Sequence, residues 1–96
     1  MYCIYMTEYS YFAEFFGTLF LLYVIIATGN PFAIGAALVV AIMTTGQISG
    51  GHFNPAVTIM MAAAGKLPLS EVAPYITAQV LGGLAALELY KRVQIK

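Results

Sequence analysis

The sequence predicts an all-α membrane protein, built as one compact unit of three membrane-crossing helices and one helix too short to cross. Three observations carry this expectation. Of the 96 residues, 61% are apolar and only 8% charged, whereas soluble domains carry about a quarter charged residues. The apolar residues gather into three runs of crossing length. Between the second and third runs lies a shorter apolar stretch with a helix-start signal at one end and a helix-stop signal at the other.

Residues 1–10 read as an aromatic amino-terminal arm. It holds Cys3, the sole cysteine, to which no disulfide, metal cluster or other chemistry is assigned. The arm contains no Lys or Arg, unlike the basic start of a secretory signal peptide, so the first apolar run is a retained span. That run, 11–28 (YFAEFFGTLFLLYVIIAT), would reach ~27 Å as a helix, close to the ~30 Å hydrocarbon thickness of a bilayer. Gly29-Asn30-Pro31 then reverses the chain, because Gly and Asn tolerate positive φ and Pro cannot continue the preceding helix. The second span, 32–49, carries a small residue at every fourth position: Ala33, Ala37, Ala41 and Thr45. The third, 71–90, has Pro74 in its first turn, where a missing N–H costs little, and repeats the stripe at Ala78, Gly82 and Ala86. Small residues let neighbouring helix backbones approach closely in lipid.

The short helix is expected over 54–64. Asn54 is a preferred N-cap, Pro55 suits the first helical position, and Gly65 is the usual residue just past a helix end. About ten residues rise only ~15 Å, half the hydrocarbon slab. Such a helix enters the membrane and turns back. It also places the irregular backbone of Gly50, Gly51, His52 and Phe53 at membrane depth, which is tolerated only where that backbone is buried in protein or lines a water-filled cavity. The segment therefore points to a wet pathway. Carbonyls of Gly50 to Phe53 would act as acceptors along it. Asn54 would cap its helix through its side-chain oxygen and donate into the lumen through its amide nitrogen. The positive end of the helix dipole would disfavour cations there.

Several function classes are excluded. Four basic residues, Lys66, Lys91, Arg92 and Lys96, balance four acidic ones, and they form no patch suited to nucleic acid. No nucleophile with a base, pair of carboxylates or phosphate-binding Gly loop suggests an enzyme or a cofactor. His52 has no companion ligand cluster, so no metal is expected. Glu14, within the first span, is costly there unless partnered.

The ten residues 49–58 (SGGHFNPAVT) resemble the first signature of the major intrinsic protein family, the aquaporins and aquaglyceroporins. Residues 13–18 (AEFFGT) and 74–79 (PYITAQ) resemble that family's first-helix and third-helix motifs, so the likeness covers essentially the whole chain. The resemblance implies one of two inverted repeats, with Asn54-Pro55-Ala56 as one of two tips meeting at mid-membrane, in a tetrameric channel. It implies that Glu14 accepts hydrogen bonds from the loop containing His52, with Gln79 nearby. It places Ile34 at the second-helix position of the narrow constriction, where water-selective members commonly carry an aromatic residue, so glycerol or another small neutral solute is also expected to fit. The filter arginine that follows the family's second tip has no counterpart here, since Val57 stands at that position.

One repeat cannot enclose such a pore. The chain is expected to be a fragment of a longer channel, a half that pairs with a separate second half, or one copy of an antiparallel homodimer. A rival expectation is a non-conducting subunit that binds and regulates full-length channels. With the amino terminus inside, as the family implies, Lys66 would be inside and Lys91, Arg92 and Lys96 outside, against the positive-inside rule.

Overall fold

The computed structural model describes residues 7–93. Four α-helices follow one another: α1 (Thr7–Thr28), α2 (Pro31–Ser49), α3 (Pro55–Ala63) and α4 (Val72–Arg92), with a single 3₁₀ turn, Leu69–Glu71, leading into α4. Three segments, Glu8–Thr28, Pro31–Ser49 and Leu69–Arg92, are long and apolar enough to cross a membrane. Within the described residues α1 already covers 7–10, ahead of the expected start at Tyr11, so these residues belong to the helix and not to an arm. Two side-chain bonds tie down these early turns: Ser10 Oγ donates to the Ile48 carbonyl (3.0 Å) and the Tyr11 hydroxyl to Glu71 Oε1 (2.7 Å). Cys3 lies outside the described residues.

The α1–α2 reversal is a chain of local caps. Thr28 Oγ1 donates to the Val24 carbonyl and accepts from the Asn30 N–H. Asn30 Oδ1 in turn accepts from the N–H groups of Phe32 (2.8 Å) and Ala33 (3.0 Å), with Pro31 at the first helical position. These bonds satisfy donors that every helix start leaves open.

α1 is the central element, packed against α2 on one side and α4 on the other, while α3 leans on α4. The contacts are made by small side chains. Ala37 and Ala41 of α2, Ala13 of α1, and Ala78, Gly82 and Ala86 of α4 are all buried. At Gly82 a Cβ would stand 2.5 Å from the Phe15 carbonyl oxygen, so the α1 and α4 backbones touch there. Large apolar side chains point outward instead: Phe12, Phe16, Val39, Val40, Met43, Leu81 and Leu84 are exposed. This inversion of the soluble pattern suits helices whose outer faces meet lipid or another subunit.

Candidate functional site

The site is the segment between α2 and α3. Gly50, in the left-handed conformation (φ 91°), closes α2 by donating its N–H to the Gly46 carbonyl (2.9 Å). A helix end leaves its last carbonyls without intrahelical donors. Here the Ile48 carbonyl takes the Ser10 hydroxyl and the Ser49 carbonyl takes the Tyr75 hydroxyl (2.8 Å). Gly51 (φ 65°) and Phe53 (φ 54°) continue in left-handed conformations. For Phe53, which has a Cβ, that conformation costs about 1–2 kcal/mol and must be held by its surroundings.

Glu14 supplies much of the holding. Its side chain is fully buried, and four donors converge on it from three parts of the chain. Oε2 accepts from Ser49 Oγ (2.7 Å) and the His52 N–H (2.9 Å). Oε1 accepts from the Phe53 N–H (2.8 Å) and Gln79 Nε2 (2.9 Å). Because all four groups donate, both oxygens act as acceptors, and among the described residues the carboxylate is met by oriented dipoles, with no ion pair to a Lys or Arg. Hydrogen bonds to a charged acceptor contribute about 1.5–3 kcal/mol each, which offsets the burial of a carboxylate in this apolar setting.

A second layer fastens α3 to the same cluster. Thr58 Oγ1, fully buried in the first turns of α3, accepts from Gln79 Nε2 (2.8 Å) and lies 2.9 Å from His52 Nδ1. The His52 ring packs on Tyr75 with centroids 5.1 Å apart. Gln79 thus joins α1 to α3 through one amide nitrogen. Sequence reasoning placed Ser49, Thr58 and Tyr75 inside motifs without assigning them these bonds. Their signal was a hydroxyl in an otherwise apolar segment, which in lipid requires a partner.

At the tip, Asn54 Oδ1 accepts from the Ala56 N–H (2.7 Å), and Pro55 occupies the first helical position. The Asn54 amide nitrogen has no partner among the described residues, and Asn54, Pro55 and Ala56 are exposed. α3 ends with the Lys66 N–H on the Met61 carbonyl (2.9 Å) and Gly65 left-handed (φ 78°). With nine residues, α3 is ~14 Å long. Backbone N–H groups of His52 and Phe53 are consumed by Glu14, whereas no donor among the described residues reaches the carbonyls of Gly50, Gly51, His52 or Phe53. Ile34 stands apart from this cluster: it is half-buried near the start of α2, at the end of that helix opposite the loop. Among the described residues no group of three His, Cys, Asp or Glu gathers as a metal site.

Three crossing-length helices together with a half-length one make the chain an integral, multi-pass membrane protein. It belongs to the major intrinsic protein family, whose model matches residues 6–96. Among curated relatives, Aquaporin Z of Rhodopseudomonas palustris is 40% identical over 99 residues, an alignment that covers 88% of this chain and 41% of the relative. Aquaporin Z of Brucella melitensis is 40% identical over 89 residues, covering 77% of this chain and 39% of the relative. The chain therefore spans about two fifths of the length of these relatives. Members of the family are channels rather than enzymes.

Proposed function

We propose that this chain forms half of the wall of a membrane channel that passes water or a small neutral solute, with the tip at Asn54 as its polar constriction. The observation that carries the proposal is the division of labour in the loop. Its inward N–H groups are bound by Glu14, while the Gly50 to Phe53 carbonyls and the Asn54 amide nitrogen are left for molecules outside the fold. A file of acceptors ending in a donor matches what single water molecules need when they leave bulk solvent. The roughly half positive charge at the α3 amino terminus opposes cations at the same point.

The other half of the wall is a second unit, from a longer chain, a separate half or an inverted copy. A groove of about 340 Å³ beside the tip, lined by Thr18, Leu22, Phe53, Pro55, Gln79 and Leu84, suits its docking. Thr18 Oγ1 and Gln79 Oε1, buried and without a partner among the described residues, belong to the walls of that groove. Ile34 is the constriction residue of this half. An aliphatic side chain there favours a wider, less polar opening, so glycerol is expected to pass beside water. With Val57 where a filter arginine would stand, an inverted homodimer is expected to leak protons more than a channel that has one.

Osmotic swelling of proteoliposomes carrying the chain, alone or with a complementary second half, tests this reading. Swelling faster than in lipid vesicles is expected, and Asn54→Trp should abolish it without loss of helical content. Equal swelling of the parent and Asn54→Trp vesicles would refute the channel and leave a non-conducting subunit that associates with other channels.

A further inference from the structure

We propose that Gly17 is the positioning residue for the Asn54 tip: the space left by its missing side chain is the socket that holds the Phe53 ring and, through it, the left-handed turn of the loop. Three observations meet here. A Cβ on Gly17 would overlap Phe53 Cε1 and stand 2.6 Å from Cζ and 2.9 Å from Cδ1, so the ring lies flush against the α1 backbone. The Phe53 side chain is buried, at 4% exposure, although its neighbours Asn54, Pro55 and Ala56 are exposed. Phe53 is also the one described non-glycine residue with positive φ.

The ring is gripped from more than one side. The position a Cβ would take on Gly51 lies 3.6 Å from Phe53 Cε2, so the loop glycine flanks the ring edge away from the Cε1 atom that meets Gly17. The Phe53 backbone is held independently by its N–H bond to Glu14 Oε1 at 2.8 Å. Glu14 and Gly17 are one turn apart on α1, so one helix face holds both handles of the same residue: a carboxylate for the backbone and a void for the ring. Two handles determine where Phe53 lies and how it is turned. Asn54 follows directly in the chain, and its placement is set by that turn.

The void is not a general requirement for a small residue within a helix. Gly35 has nothing within 4 Å of its would-be Cβ and Gly46 only Ile42 Cγ2 at 3.7 Å, while at Gly82 and Gly83 the obstacles are the Phe15 carbonyl oxygen and the Leu22 side chain of α1, not a residue of the loop. At Gly17 the obstacle is a rigid aromatic ring, and the cheapest relief is for the ring to leave, taking the tip with it.

The inference deepens the channel reading and relies on it only for the consequence in permeation. A double-mutant cycle on the full chain tests it: Gly17→Ala, Phe53→Ala and the pair, followed by amide hydrogen exchange in bicelles at His52 and Phe53, with Ala86 in α4 as reference. Gly17→Ala is expected to speed exchange at His52 and at Phe53 by about tenfold or more while leaving Ala86 unchanged, a size typical of coupled contacting residues. In the Phe53→Ala background, where the ring atoms are gone, the same substitution should change exchange at His52 by less than about twofold. Should Gly17→Ala fail to fold, the pair must recover folding. Equal effects in both backgrounds, acceleration shared by Ala86, or a pair as damaged as the single variant would overturn the socket. Osmotic swelling of the same variants, each supplied with a complementary second half, is a separate readout: a parent chain that does not swell under those conditions refutes the channel and leaves the exchange result intact.

Discussion

Replacing Glu14 with glutamine is the most informative single change, because it preserves shape and size while removing half of the acceptor capacity. Oε1 serves the Phe53 N–H and Gln79 Nε2, and Oε2 serves Ser49 Oγ and the His52 N–H. A glutamine amide has one oxygen and one NH₂ group, so whichever way it turns, one pair of donors faces another donor. Stranding a buried donor costs about 1–3 kcal/mol. Two of them give a loss of about 2–6 kcal/mol, a large part of the roughly 5–15 kcal/mol that holds a typical domain folded. The Ser49 hydroxyl can rotate toward the Thr45 carbonyl, 3.5 Å away, which places the expected loss toward the lower end when the NH₂ group faces the partners of Oε2. Unfolding in mixed micelles, followed by loss of helical circular dichroism, measures this difference. Amide exchange should show the His52 or Phe53 N–H losing protection first. A Glu14→Gln variant within about 0.5 kcal/mol of the parent, the scatter of a surface substitution, would refute the claim that Glu14 holds the loop.

Two further predictions separate local from long-range packing. Gly82→Ala should destabilise the chain by about 1–3 kcal/mol, as overpacking does, because the new methyl meets the Phe15 carbonyl oxygen at 2.5 Å. Gly35→Ala, the same chemical change on α2 with open space around it, should stabilise by up to about 1 kcal/mol through helix propensity, and thermal unfolding of the two variants reads the opposite signs. Asn30→Ala removes the acceptor for the Phe32 and Ala33 N–H groups and should cost about 0.5–2 kcal/mol. Fraying should be confined to the start of α2 in amide exchange.

The elements of this fold were legible because each is marked by its own residues. Asn30-Pro31 and Asn54-Pro55 start α2 and α3, Gly65 follows the end of α3, and apolar length separates the three spans from the stub. The start of α1 was less legible. What ties its first turns down is a pair of bonds to Ile48 and Glu71, partners 38 and 60 positions away. The site was legible in parts. A buried Glu14 demands donors wherever it lies, and Asn54 announces a cap, but nothing local says which donors arrive.

By itself the sequence determined where α2 and α3 begin, that α3 is too short to cross a bilayer, and that its tip is capped by Asn54. Caps, turns and helix length depend on hydrogen bonds between residues a few positions apart, so the local chain suffices. Only the tertiary structure decided that Ser49, His52, Phe53 and Gln79 share one carboxylate, that Thr58 links α3 to α4 through Gln79, and that the Phe53 ring fills the space beside Gly17. Those contacts form when α1, the loop and α4 are brought together. The close approach at Gly17 and Gly82 that allows this is a property of packed neighbours, which a single helix does not possess.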